Sequence, residues 1–298
     1  MTAGLAHPTA VPVPRRHPWY PVSPCTAGCL DHRHSPGVGG FRHCLRIARL
    51  AVTVGSVAAA GAAVAGLPVW LRRRYLRWSA GALLTALGVA VHVDDHRGPP
   101  ADTRCRGTRG GLIVANHISY LDVLALATVD PAHFVAKSEV TVLPVVSVVV
   151  RWFGVIGVDR GRLRGLPATV ATAADRLAAD HSVAVFPEGT TRCGRRHHAA
   201  CGTAFRPAFF QAAIDAGAPI LPIRLDFTNS GGITCTAPSF IGDDGFGDTL
   251  RRVLRMRDLT ITVRVHEPLP PAADRRELAA RCHELIVGGH AAVQASAA

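Results

Sequence analysis

Hydrophobic and polar positions divide this chain into three textures. Residues 1–40 show no periodic apolar pattern and are rich in Pro, Gly and His. That composition reads as a poorly ordered extension, because it offers too little apolar surface to offset its ordering entropy. Residues 50–71 form an uncharged run of mostly Ala, Val, Gly and Leu, with Arg46 and Arg49 before it and Arg72, Arg73 and Arg74 after it. The run is long enough to span a bilayer. A second apolar stretch, 78–93, is short for a span. Two arrangements stay open: a transmembrane helix followed by a buried or interfacial helix, or a helical hairpin dipping into one leaflet with arginines at the headgroups. Arginines lie on both sides, so the positive-inside rule assigns no orientation. Pro68 predicts a bend near the end of the first run.

From Thr108 onward the pattern changes. Short apolar, β-branched runs at 111–115, 133–136, 155–158, 182–186, 220–224 and 259–265 read as strands. Helical periodicity occupies 119–128, 163–180, 205–216 and 274–286. The expected fold class is α/β: a mixed sheet flanked by helices, with an N-terminal membrane-associated helical segment. The expected organisation is an extension over 1–44, the helical segment over 45–95 and an α/β domain over 96–290.

Composition sharpens the partners. The 298 residues are 48% hydrophobic and carry a net charge of +12. That combination favours an anionic lipid surface. Aromatic residues make up only 6%, and neither an RNA-binding aromatic signature nor zinc-finger spacing occurs, so nucleic acid is not the expected partner. The eight cysteines are scattered and no cleavable signal peptide is read at the start, which points to reduced thiols. Cys25, Cys29, His32, His34 and Cys44 match no common zinc pattern, and no metal is expected.

The chemistry is concentrated in four blocks. Asn116-His117-Ile118-Ser119-Tyr120-Leu121-Asp122 follows the first α/β strand. Residues five apart sit about 140° apart on a helix, so His117 and Asp122 meet only if the helix begins between them. Ser119 through Asp122 is a capping-box pattern that places the start there. Asp122 then fixes the imidazole tautomer, and the free nitrogen takes a proton from a substrate hydroxyl. No Gly-x-Ser-x-Gly elbow occurs, which argues against a serine hydrolase. Gly157-Val158-Asp159-Arg160 supplies a guanidinium after a strand. Phe186-Pro187-Glu188-Gly189-Thr190-Thr191-Arg192 is a turn whose backbone N–H groups suit an anion. Ala218 to Pro222 is the fourth block.

These blocks, in this order, resemble the 1-acylglycerol-3-phosphate acyltransferase family over roughly 111–225. The resemblance implies His117 and Asp122 as the catalytic pair. It implies acceptor binding by Asn116, Arg160, Glu188, Gly189, Thr190, Thr191, Arg192 and Arg206. It further implies transfer of a fatty acyl group from acyl-CoA or acyl-carrier protein, with no cofactor, to the hydroxyl of a lysophospholipid at the cytoplasmic face of the cell membrane. Two departures stand out. Thr191 occupies the place of an arginine common in members acting on lysophosphatidic acid, a form more like lyso-ornithine lipid acyltransferases. Phe205-Arg206-Pro207-Ala208 replaces a common Phe-Lys-x-Gly. The alternatives are therefore lyso-ornithine lipid as acceptor, or a non-catalytic membrane lipid-binding protein.

Overall fold

The computed structural model describes residues 20–31, 37–64, 66–97, 110–138, 154–195, 204–242 and 244–288. Two helices come first, α1 (Gly40–Val64) and α2 (Val69–Leu87). The α/β elements follow: β1 (Val89–Asp95), β2 (Leu112–Ala115), α3 (Leu121–Val129), β3 (His133–Lys137), β4 (Ile156–Val158), α4 (Leu166–Ala178) and β5 (Val183–Val185). The chain continues through α5 (Phe210–Ala216), β6 (Ile220–Thr228), α6 (Phe246–Arg255), β7 (Leu259–Val265) and α7 (Arg275–His283).

The strands form one seven-stranded sheet in the order β1-β7-β6-β2-β5-β3-β4. β6, β2, β5, β3 and β4 run parallel, and β7 is antiparallel to β6. Alternate residues of β2 serve opposite faces, as a pleated strand requires. Ile113 and Ala115 join a core built with α2, α3 and α6. Leu112 and Val114 join a second core built with α4, α5 and α7. The result is a three-layer sandwich, with helices on both faces of a largely parallel sheet.

The N-terminal half departs from the sequence expectation in three places. The 78–93 stretch is not one apolar segment: α2 ends at Leu87, where Gly88 adopts φ 77 and closes the helix by donating to Leu84 O and Thr85 O. The chain then enters β1, which pairs with β7 from Val89 to Asp95. A domain boundary at residue 96 would cut a strand from its sheet, and α2 itself buries Ala80, Leu84 and Leu87 in the first core. The 50–71 run is likewise two pieces, because Pro68 starts α2 instead of bending a single helix. Finally, residues 20–31 pack against the loops after β5 rather than forming part of a loose extension.

Only α1 stands mostly outside these layers. It is long and apolar enough to cross a membrane, and little of it is covered. Val52, Val54 and Ile47 are exposed on it. Its first half is fastened to the domain: Arg46 Nη1 donates to Leu254 O at 3.2 Å and also to Met256 O. Arg73 and Arg77 of α2 reach Asp130 at the end of α3.

Candidate active site

The carboxyl ends of β2, β5, β3 and β4 lie along one edge of the sheet, because these strands are parallel neighbours. His117 follows β2, Glu188 follows β5 and Arg160 follows β4. Loops beyond the carboxyl ends of parallel strands are the usual place for an α/β active site.

Asp122 sits in the first turn of α3 with its side chain fully buried, at 0% exposure. One of its oxygens, Oδ2, accepts three hydrogen bonds. They come from His117 Nδ1 at 2.8 Å, Ile118 N at 2.6 Å and Ser119 N at 2.9 Å. The loop therefore wraps around one carboxylate, and the helix begins between His117 and Asp122 as the capping box predicts. A carboxylate can only accept, so Nδ1 carries the hydrogen and Nε2 is left as the basic nitrogen. The His117 side chain is 20% exposed, enough for a substrate to reach it. Phe186 stacks on its ring at 4.0 Å between centroids and 11° between planes. Nε2 makes no hydrogen bond to other described residues.

Three contacts join this loop to the next block. Arg192 N donates to His117 O at 2.8 Å. Thr191 Oγ1 donates to Phe240 O, and Phe240 N donates to Ile118 O at 2.9 Å. The turn itself is closed by Gly189 N donating to Phe186 O at 3.0 Å, with Gly189 at φ 73, a conformation that favours glycine. Glu188 and Arg192 are buried against each other, Nε to Oε2 at 2.9 Å, a contact that is an ion pair only once Glu188 loses its proton. Burial pushes the Glu188 carboxyl up to about 8, aided by the charge of Asp122 and opposed by Arg192 and a hydrogen bond from the His117 backbone.

The sequence-predicted site residues separate into three groups. His117 and Asp122 meet as a dyad. Gly189, Thr190 and Arg206 lie together on the rim: Arg206 N donates to Pro187 O at 3.0 Å, and its guanidinium stem runs over Gly189. Asn116, Glu188 and Arg192 are turned inward. Asn116 donates from Nδ2 to Leu225 O at 2.9 Å and accepts from Leu225 N at 2.8 Å, extending the β2–β6 ladder by one rung. Both faces of its amide are thus engaged by β6 backbone. Glu188 and Arg192 are buried against each other. Thr191 spends its hydroxyl on Phe240. Arg160 stands half-buried at the end of β4. Ala208 does not need the freedom of the glycine it replaces, because it lies in the turn that enters α5, where Gln211 N donates to Ala208 O.

Sequence reading missed residues 236–242 and Asp244 entirely. Arg252 of α6 organises them by donating to Ala237 O, Ser239 O and both carboxylate oxygens of Asp244. That places Phe240 between the dyad loop and Thr191. No local motif marks these residues, whose roles come from contacts over long sequence separations. A separate cleft lined by His96, His266 and Arg281 lies at the opposite edge of the sheet and belongs to none of this.

A mixed α/β sandwich carrying a His/Asp dyad at its strand ends is built for proton abstraction from a substrate hydroxyl, and comparison with known proteins gives the class as acyltransferase. Residues 92–226 match the family model described as Acyltransferase. Over 198 residues the chain is 32% identical to a 1-acyl-sn-glycerol-3-phosphate acyltransferase of Neisseria gonorrhoeae, covering 66% of this chain and 72% of that one. It is 29% identical over 218 residues to a lyso-ornithine lipid O-acyltransferase of Pseudomonas aeruginosa, covering 72% and 78%. The crystal structure of a 1-acyl-sn-glycerophosphate (LPA) acyltransferase, PlsC, from Thermotoga maritima superposes with a TM-score of 0.60 at 19% identity, covering 86% of this chain and 95% of that one, which establishes the shared fold. The chain belongs to the 1-acylglycerol-3-phosphate acyltransferase family and is an O-acyltransferase.

Proposed function

We propose that this enzyme transfers a fatty acyl group from a thioester donor, acyl-CoA or acyl-carrier protein, to the free hydroxyl of a lyso-lipid with a charged head group. The observation that carries this reading is the 2.8 Å contact between His117 Nδ1 and the fully buried Asp122. It fixes the imidazole so that Nε2 takes the acceptor's hydroxyl proton as that oxygen attacks the thioester carbonyl. The tetrahedral oxyanion collapses by expelling the donor's thiolate, which takes the proton from the imidazolium and leaves as a free thiol. No acyl-enzyme forms and no cofactor is called for. The acceptor's charged head group meets Arg160, Arg206 and the backbone of Gly189 and Thr190 along the strand-end edge. The mostly uncovered apolar helix α1 supports placement on a membrane surface, and the need for a water-soluble thioester donor puts the active site on the cytoplasmic face in this reading.

One observation favours lyso-ornithine lipid over lysophosphatidic acid as acceptor. Thr191 replaces an arginine, and Arg192 is turned inward to Glu188, so this turn presents no guanidinium to a phosphate. The experiment is acylation by purified protein with radiolabelled donors and a panel containing lysophosphatidic acid and lyso-ornithine lipid. Acyl transfer to either supports the enzyme reading, and the ratio between them chooses the acceptor. No transfer to any lyso-lipid with either donor would overturn it.

A further inference from the structure

Three cysteines converge beside the acceptor-side loop. Cys25 lies in the 20–31 segment, Cys29 ends its 3-10 turn (Ala27–Cys29), and Cys193 follows Arg192 far along the chain. All are buried, at 2%, 7% and 0% exposure, and all are thiols rather than half-cystines. Their sulfurs lie within 4.8 Å of one another. A tetrahedral zinc with Zn–S bonds of about 2.3 Å holds its sulfurs about 3.8 Å apart, so the trio is within about 1 Å of a chelating arrangement. The Cys25–Cys29 spacing, with three residues between, lies within the range of structural zinc sites. Cys193 N–H also points to Cys25 Sγ at 3.3 Å, the type of bond that stabilises a ligating thiolate.

A merely apolar role explains these positions poorly. Cys25 and Cys29 are the only buried side chains of residues 20–31. Two thiols and the partly buried Leu30 are little apolar surface to hold a twelve-residue segment against its conformational entropy. Yet the segment is well placed on the site. Ser23 Oγ donates to Thr191 O at 2.8 Å, Asp31 N donates to Thr236 Oγ1 at 2.7 Å, and Pro21 lies against Gly189.

We propose that Cys25, Cys29 and Cys193 bind a structural zinc ion that staples the amino-terminal segment onto the Gly189–Arg192 loop. Binding releases three thiol protons to solvent, and a fourth donor completes the tetrahedron. Cys44 takes no part, being exposed on α1, and His32 and His34 lie outside the described residues. The site goes beyond the acyl-transfer reading and is tested independently of it. The measurement is metal content by mass spectrometry of full-length protein, purified under reducing conditions without chelator. About one zinc per chain is expected, and Cys25→Ser, Cys29→Ser or Cys193→Ser should lower it at least tenfold. Cys44→Ser and Cys282→Ser should leave it unchanged. Because a serine variant could fail to fold, the wild type is also stripped of zinc with a chelator and titrated with cobalt(II), which should give the near-ultraviolet thiolate charge-transfer band of a sulfur-ligated site. A wild type with negligible zinc and no such band, or a disulfide among the three residues in freshly purified protein, would overturn the proposal.

Discussion

Asp122 gathers three hydrogens on one oxygen, so its charge holds the loop together as well as orienting His117. Asp122→Asn should therefore lose on two counts. Presenting an amide to two backbone N–H donors costs about 1–3 kcal/mol of stability, and misorients the imidazole as well. His117→Ala should behave differently, because its ring is partly exposed and stacks on only one neighbour. It should lose about 10²–10⁴-fold in kcat with little change in melting temperature. Measuring both variants by calorimetry and radiolabelled transfer separates base from scaffold, and near wild-type turnover by His117→Ala would refute the dyad. Asn116→Ala should lower the melting temperature while leaving the acceptor KM unchanged in the fraction that folds, since its amide serves Leu225. A raised acceptor KM would return it to the binding site. Glu188 carries a pH signature. Its folded value of about 8 lies above its ordinary 4.5, so between these values the folded state holds a proton the unfolded state has lost. Wild-type stability is therefore drained as pH rises through that window. Glu188→Gln removes this slope and adds only a pH-independent penalty at Arg192. Relative to wild type, the variant's melting temperature should climb from about pH 5 to about pH 8, and parallel curves would show that Glu188 stays ionised throughout.

At the scale of elements, sequence patterns were legible where an element's environment is simple. β7 runs over the predicted 259–265, because the buried Leu259, Ile261, Val263 and Val265 alternate strictly with the half-buried Thr260, Thr262 and Arg264. β1 was lost because Val89 to Val93 continues the apolar texture of α2 without a break in composition, and only Gly88 separates the two. α6 went unread although Phe246, Leu250, Val253 and Leu254 recur at helical spacing, because four arginines within 251–257 dilute the pattern. The apolar run near the N-terminus was recognised, yet its division into α1 and α2 depends on Pro68 and on the packing of α2 beneath α1. That division changes what a truncation would mean. Cutting at residue 77 removes half of α2 and opens the first core, so it does not test membrane binding cleanly. Charging the exposed face of α1 does. Val52→Asp with Val54→Asp touches side chains already in solvent, so the fold should survive. If these valines enter lipid, each contributes about 1.5–3 kcal/mol, and the pair should lower vesicle binding by well over tenfold. Cosedimentation with anionic phospholipid vesicles gives the answer. Undiminished binding would show that α1 faces something other than a membrane.

The site as a whole exists because the sheet is parallel where it needs to be. Four strand ends at one edge bring together residues from 116 to 192 that no spacing rule could align, and the antiparallel β7 sends its own carboxyl end to the opposite edge. This explains why the dyad was legible and its surroundings were not. His117 and Asp122 are joined by a local loop, whereas Asn116–Leu225, Thr191–Phe240 and Cys25–Cys193 are joined only by the fold. The same geometry sets the reach of Arg160. β4 stands three strand positions from β2, roughly 14 Å at the usual inter-strand spacing. An arginine side chain can cover about half of that distance, and a lipid head group bound next to His117 covers the remainder. On the proposed reading Arg160 holds the far, charged end of the acceptor, not the reacting hydroxyl. Binding of that kind persists equally in ground and transition states and appears in KM. Arg160→Ala should raise the acceptor KM by about tenfold or more, the equivalent of one charge-assisted hydrogen bond, with kcat and the donor KM nearly unchanged. If the acceptor carries a phosphate, the loss should be largest for lysophosphatidic acid. If it is lyso-ornithine lipid, whose head group carries a free carboxylate beside its ammonium, the loss should fall there instead. Steady-state kinetics with each acceptor at saturating donor distinguishes the two. An acceptor KM unchanged for both would confine Arg160 to the surface of β4, and the head group would have to be held by Arg206 and the Gly189 turn alone.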